Sequence, residues 1–547
     1  MSEDTRHSDP FASLFTRRRL LAASGGAVAA ATLAQSLSSP AAIAQQGPAT
    51  PNALGEAIPP ELTQYANDWP AFQGNLFSDR AAKGSTITSE NIGSLEIAWT
   101  FTTPNTAGYG SFTSAPLVLG DVVYVQDTVG TVFALDRESG ETIWTRPYNV
   151  PSIGPGGIAV GYGRLYGVLR EIAEVFALDL ATGDEIWRVK VTNFALPQSS
   201  AAPTVYDNMV YVEAGAGYLG GGKSRLVALD ADSGLTLWEF DLMADNAWEN
   251  PRLNSGGGLW YPLSFDEDGN LYFGVGNPAP YPGTKDFPNG SSRPGDNLYS
   301  SSMVSLDSKT GAIRWYFQAR QHDIFDLDFQ NTPLLAKVDV DGTETLLTIG
   351  SGKAGIVVAV NAETGEVLWN VEVGEHDNDD LTEVPEGESV TVLPGTLGGV
   401  ETPIAYSDGT VFVPVLNFPT TYTSSSIESG TDYSTATGDL YALNAADGST
   451  IWRQELPTMA TGAATVSNDV VFTGGLDGIV RAYLTTTGDL IWSAQLTAGV
   501  NAPSAIAGDT IFVPAGGPLI ASSDSAGATP IAEGTGNQLV AFRVSAG

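Results

Sequence analysis

The stretch VFALDRESGETIW, Val132–Trp144, reads as an alternating strand, a tight turn closed by Gly140, and a return strand ending in Trp144. An Asp or Asn entering a short turn that glycine closes, between two β-rich runs, is how a β-hairpin is written in sequence. The phrase returns as VFALDLATGDEIW (Val175–Trp187), LVALDADSGLTLW (Leu226–Trp238) and MVSLDSKTGAIRW (Met303–Trp315). It recurs again as VVAVNAETGEVLW (Val357–Trp369), LYALNAADGSTIW (Leu440–Trp452) and VRAYLTTTGDLIW (Val480–Trp492). Upstream of each hairpin lies a further strand pair, such as DVVYVQ or GRLYGV. The unit is therefore about four strands, the size of one propeller blade.

The chain ends complete the pattern. NQLVAFRV (Asn537–Val544) is the first half of the phrase without its tryptophan strand, and SLEIAWTF (Ser94–Phe101) is the second half alone, with Trp99. Joined in one sheet, they predict an all-β, eight-bladed β-propeller closed by its two termini, which leaves no open sheet edge. The eight tryptophans read as structural anchors between neighbouring blades. Most lie about 40–55 residues apart, but Trp238–Trp315 and Trp369–Trp452 span roughly 80. Insertions of this kind become loops on one face of a repeat protein, often the working face.

Composition narrows the function. The 547 residues carry 25 basic and 62 acidic side chains, a net charge of −37. Such a surface repels nucleic acid and anionic lipid. There is no cysteine, which excludes disulfides, thiolate nucleophiles, Fe–S clusters and thiolate-bound zinc. TRRRLL (16–21), followed by the weakly apolar AASGGAVAAATLA and the Ala42-Ile43-Ala44 site, reads as a twin-arginine export signal over 1–44. It is too weakly apolar to remain as a membrane span. Residues 45–68 read as a Pro/Ala-rich linker, and 69–547 as one propeller domain beginning near Trp69.

The sharpest chemical signal is HDIFDLD, His322–Asp328. Read as a strand, it places Asp326 and Asp328 on one face with Cα atoms roughly 6.5–7 Å apart. Two like charges so close repel unless a cation sits between them. His322 reads as a structural histidine and His376, in EHDNDD, as a solvated loop residue.

The repeated hairpin, the opening DWPAFQGNLFSDR, and VGNPAPY…RPGDNLYSSSMVSLDSKTGAIRWYFQ…HDIFDLD together resemble the quinoprotein alcohol and methanol dehydrogenases. The resemblance covers nearly the whole chain after the signal and is most specific over Gly276–Asp328. It implies pyrroloquinoline quinone (PQQ) held beside a calcium or lanthanide ion. By motif match, Asn277 is a metal ligand, Asp326 is both catalytic base and metal ligand, and Asp328 is the extra carboxylate of lanthanide-using members. Gly256–Gly258 and Trp260 match the floor beneath the quinone, Lys353 a contact near its oxygens, and Ser199 or Ser200 a hydroxyl against it. A cation among Asp326, Asp328 and Asn277 would convert repulsion into coordination, since hard cations take oxygen ligands.

The chain departs from the family at four places. Where adjacent cysteines are expected it reads VPSIGPGG (Val150–Gly157), and the arginine that follows them is missing. Tyr218 stands where a glutamate ligand is expected, with Glu213 out of register. GGVETP replaces a GGVNW pattern. The resemblance implies oxidation of a small alcohol outside the cytoplasm, with electrons passed to a separate acceptor such as a cytochrome. There is no CxxCH haem motif in the chain. The rival reading is a non-catalytic propeller acting as an extracytoplasmic scaffold for protein partners.

Overall fold

The computed structural model describes residues 57–545, apart from 153, 195, 217–220, 245–249, 429–432, 521 and 523–535. The signal segment and Tyr218 lie outside the described residues. Among the described residues the architecture is all-β, with only short helical turns. Among the described residues no helix is long and apolar enough to cross a membrane, which says nothing of strands.

Eight antiparallel sheets of four or five strands follow one another along the chain. The first is built from Leu117–Leu119, Val122–Gln126, Val132–Asp136 and Thr142–Arg146, so the quoted phrase supplies its two outer strands. The next six lie within 158–190, 197–241, 264–318, 334–372, 405–456 and 465–495. The eighth combines Ala505–Ala507, Thr510–Ala515 and Gln538–Val544 with the N-terminal strand Leu95–Thr102. The two orphan half-phrases thus pair as expected.

One packing rule explains the repeat. In every sheet the tryptophan faces a small residue across the last strand pair: Ala134↔Trp144, Ala177↔Trp187, Ser305↔Trp315 and, across the chain ends, Ala541↔Trp99. The indole then reaches the next sheet. A Cβ on Gly140 would lie 2.6 Å from Trp99, and one on Gly183 would lie 2.6 Å from Trp144. Gly234, Gly311, Gly365, Gly448 and Gly488 are crowded in the same way by Trp187, Trp238, Trp315, Trp369 and Trp452. These turn glycines also have φ near +70°, a region that L side chains rarely enter. Trp99, Trp187, Trp238, Trp315, Trp369 and Trp452 donate their indole N–H to a backbone carbonyl of the following hairpin.

The segment before Trp69 is not a free linker. Pro60–Gln64 is helical, and the Glu61 carboxylate accepts from the backbone N–H groups of Tyr162 and Gly163. From there the chain touches each sheet in turn. Ala57 O accepts from Asp207 N, Trp69 bridges Val118, and Leu76 O accepts from Phe265 N. Phe77 O accepts from Leu335 N, Asp79 O from Tyr406 N and Arg80 O from Val466 N, while Thr86 N donates to Gly508 O. The chain is accordingly tied to the sheets from Ala57 onward, ahead of the expected start near Trp69. The physical reason is that these backbone groups find partners on the sheets and need not stay in water. Arg80, fully buried over the Trp69 ring, pins this strap with hydrogen bonds to Ala464 O, Thr465 Oγ1, Ser504 O and Gln73 Oε1.

Candidate active site

HDIFDLD is not a strand. Asp323, 1% exposed, accepts from the backbone N–H of Phe325 at 2.9 Å and of Leu327 at 2.8 Å, which curls the segment around its own carboxylate. Asp326 takes a left-handed φ of +64° inside that curl. Alternation along a strand therefore does not bring Asp326 and Asp328 together; Lys353 does. Its Nζ lies 3.1 Å from Asp326 Oδ2 and 3.2 Å from Asp328 Oδ1. The Thr396 hydroxyl also donates to Asp326 Oδ2, while Oδ1 receives no hydrogen bond among the described residues. All three charged side chains are nearly excluded from solvent, at 8% exposure or less.

Both long insertions support this segment. From the first, buried Arg293 donates to Asp323 O at 2.6 Å and to Asn297 Oδ1 at 2.6 Å. The second forms a small sheet of Val390–Val392, Thr420–Tyr422 and Ile427–Glu428. Tyr422 and Val392 pack on Ile324, Phe325 and Leu327, and the Tyr422 hydroxyl donates to Phe325 O at 2.6 Å. His376 is half-buried beneath the lysine loop rather than solvated. Its Nδ1 is 3.0 Å from Asp379 and its Nε2 3.2 Å from Gly355 O. His322 is structural as expected, with each ring nitrogen facing a backbone carbonyl, Gly295 O and Asn289 O.

Asn277 adjoins the acids. Its backbone N–H points to Asp328 Oδ2 at 3.4 Å, and its side-chain oxygen is buried and accepts no hydrogen bond. Glycines let the surrounding groups approach. A Cβ on Gly276 would meet Gly258 O at 3.0 Å, the Trp260 indole nitrogen at 3.1 Å and Asp328 Oδ2 at 3.3 Å. A Cβ on Gly258 would meet Glu213 Oε1 at 2.7 Å. The Gly256–Gly258 run, Trp260, Asn277 and Asp328 are therefore one neighbourhood, and Glu213 belongs to it. Glu213 is fully buried; Oε2 accepts from Ser200 N at 2.7 Å, and Oε1 accepts no hydrogen bond. The out-of-register glutamate thus lies in this neighbourhood. The signal was available: Glu213 is the one charge in MVYVEAGA, a strand whose described side chains before it are all buried.

The Ser199 hydroxyl is buried without a partner, and Ser200 Oγ accepts from Arg170 Nε at 3.0 Å and Gln198 Nε2 at 2.8 Å. Arg170 sits 5.8 Å from the Trp260 ring centre. VPSIGPGG lies against it, since a Cβ on Gly154 would be 2.9 Å from Arg170 Nε. Glu401, of GGVETP, accepts from Gln330 Nε2 at 3.2 Å, and Gln330 Oε1 accepts from the Lys353 backbone N–H. Sequence reasoning missed Arg170, Thr396, Gln330 and Glu401.

Burial dominates the electrostatics. It pushes Asp326 up to about 7, with Lys353 opposing and Asp328 reinforcing the shift. It raises Asp328 as well. Glu213 is pushed up to about 7 against the pull of Ser200 N–H and Arg170, and Glu401 to about 8 against that of Lys353. Burial would lower the Lys353 ammonium, but Asp326, Asp328 and Glu401 hold it well above its ordinary value. Carboxylates packed this densely and still short of positive charge are what a hard multivalent cation stabilises. Among the described residues no three His, Asp or Glu side chains gather tightly enough to enclose an ion by themselves. The unpartnered oxygens of Glu213 and Asn277, next to Asp328, nonetheless fit the donor set such an ion takes.

In class this is an all-β protein of the quinoprotein propeller type. The solved quinohemoprotein alcohol dehydrogenase ADHIIG of Pseudomonas putida superposes with a TM-score of 0.76 at 21% identity, covering 88% of this chain and 80% of that one. A europium-containing methanol dehydrogenase superposes with a TM-score of 0.73 at 21% identity, over 87% and 98%. In sequence, the putative dehydrogenase XoxF of Paracoccus denitrificans is 27% identical over 80% of this chain and 84% of its own length. The quinohemoprotein alcohol dehydrogenase of Comamonas testosteroni is 26% identical over 86% and 76%. The glucose/ethanol/alcohol dehydrogenase β-propeller model matches residues 69–156 and 192–389, just over half of the chain. The chain belongs to that family, and is an oxidoreductase of the PQQ-dependent alcohol dehydrogenase kind. The model of outer membrane protein assembly factor BamB also matches, over 130–253 and 353–543. That match skips 254–352, which holds Trp260, Asn277, Asp326 and Asp328, and elsewhere follows the shared repeat.

Proposed function

We propose that the eight sheets close into an eight-bladed ring and that the protein is an exported quinoprotein dehydrogenase oxidising a small alcohol. Trp99 supports ring closure, because it is paired in the eighth sheet and stacked on Gly140 of the first. The chemistry rests on one observation: Asp326 and Asp328 are buried around one ammonium beside a half-buried indole, instead of facing bulk water. A scaffold has no use for so costly an arrangement.

Glu213, Asn277, Asp326 and Asp328 would hold calcium or a lanthanide ion. Trp260, Lys353, Ser199 and Ser200 would border PQQ, which when bound supplies the acceptor for the alcohol's electrons. Asp326 is divided between two tasks. Oδ2 is fixed by Lys353 and Thr396, which leaves Oδ1 to take the hydroxyl proton of the substrate. Lys353 opposes the burial that protonates Asp326, and so favours the ionised form a base requires. The second insertion packs apolar side chains on the segment that carries the base and keeps water away from it. A separate acceptor such as a cytochrome would reoxidise the protein outside the cytoplasm, after export by the 1–44 segment.

Reconstitution tests this reading. Purified protein given PQQ with calcium or lanthanum should reduce a dye in the presence of a primary alcohol, and Asp326→Asn should lose that activity with its fold unchanged. A protein that takes up no quinone with either ion is a scaffold.

A further inference from the structure

Arg170 is a cation that the fold goes to some length to bury. It is 5% exposed, and it projects from the short turn Arg170–Ile172 of the second sheet. Its Nε is held by Ser200, its Nη1 meets Glu171, and its Nη2 makes no hydrogen bond among the described residues. Bare backbone at Gly154 leaves room for it. A buried guanidinium with hydrogen-bonding capacity unspent is poised for an anion, because its planar fork matches a carboxylate.

The geometry also says which part of a ligand it meets. The guanidinium carbon is 5.8 Å from the Trp260 ring centre. A flat ring resting on the indole lies about 3.5–4 Å above it, and a third layer would need roughly twice that. The observed separation is too short for a group on the far face of an inserted ring. A guanidinium over the indole at that separation borders the space such a ring would fill, and its planar fork pairs with a carboxylate carried on the ring's edge.

We propose that Arg170 is the residue that reads the rim carboxylate of the cofactor, supplying from the second sheet a cation that VPSIGPGG does not carry. The assignment rests on the quinoprotein reading above. Ser200 and Gly154 act as positioning residues: one hydrogen-bonds Nε, and the other offers no side chain to displace it.

The test compares PQQ with its trimethyl ester, which has the same ring but no carboxylate. Equilibrium dialysis against metal-loaded protein should show wild type preferring the acid. Arg170→Met should weaken PQQ about 10–150-fold, the loss expected for a hydrogen bond to a charged group, and leave the ester unchanged. Gly154→Ala should do the same more weakly, by moving the arginine. Should Arg170→Met fail to fold, Arg170→Lys keeps the charge and loses the fork, and should lose part of the preference. A variant that still prefers the acid as wild type does overturns the assignment alone. Wild-type protein that takes up neither compound sinks the quinoprotein reading, and the assignment falls with it.

Discussion

Replacing Lys353 by methionine keeps the side-chain length and removes its charge. In the wild type the ammonium lies 3.1 Å from Asp326 and 3.2 Å from Asp328, with all three side chains almost dry. Removing one partner of a buried ion pair costs about 3–5 kcal/mol, because the other charge is stranded. Here two acids are stranded, and one must take up a proton. The metal-free variant should therefore lose about 3–5 kcal/mol at pH 8. The effect has a definite pH dependence. Asp326 is already pushed up to about 7 from an ordinary 3.8, and losing Lys353, which lowers it, pushes it further. A carboxyl raised on folding weakens the fold as pH rises through its folded value. The gap between wild type and variant should be small near pH 4 and open as pH rises through about 7, where Asp326 ionises in the wild type but stays protonated in the variant. Chemical denaturation with a chelator at pH 4.5 and pH 8 measures it. Calcium or lanthanum should then narrow the gap at pH 8 by taking over the ammonium's role. Equal midpoints for both proteins at pH 8 without metal would refute the view that Lys353 neutralises this pair.

Other outcomes follow from the same geometry. Glu213→Gln should bind terbium at least about tenfold more weakly, read as luminescence sensitised through the nearby Trp260, since a charged ligand is lost. Gly258→Ala should do likewise with the fold intact, because its Cβ would lie 2.7 Å from Glu213 Oε1. Trp99→Ala should cost about 3–5 kcal/mol of unfolding free energy, as large aromatic truncations in cores do, even though Trp99 lies far from the site in sequence. For His376, the Asp379 hydrogen bond raises the imidazole above its ordinary 6.5. Its contribution to stability is complete below about pH 6.5 and lost as pH rises through the raised value; His376→Gln should flatten that slope in thermal melts taken between pH 6 and 8.

The fold was legible because its repeat is local. A hairpin phrase carries its own turn glycine and its own tryptophan, so each sheet announces itself within a few residues. That Asn277, Asp326, Asp328 and Lys353 lie together was legible by motif. Glu213 was set out of register by counting along the chain, yet the fold brings it beside Gly258. A lone acid in an otherwise apolar strand was the better clue. Asp326 and Asp328 were rightly paired for the wrong reason: the carboxylate of Asp323 bends the segment, and nothing in the hydrophobic pattern announces a side chain that hydrogen-bonds its own backbone. Arg170 and Glu401 could not be foreseen, since they reach the site from separate sheets and loops. The strap was hidden too, because its Pro- and Ala-rich text has no periodicity and its partners lie in all eight sheets.

That strap has a consequence for how such a molecule is made. Stacked-repeat proteins can often be shortened by whole modules. Here a continuous thread from Ala57 to Thr86 is tied to every module, and Leu95–Thr102 waits for a mate at Gln538–Val544. Deleting any module leaves a stitch with nothing to hold, and a chain still emerging from the ribosome lacks its final clasp until Gln538–Val544 has been made. The polypeptide should thus assemble late and all at once, and its truncations should be insoluble rather than merely smaller.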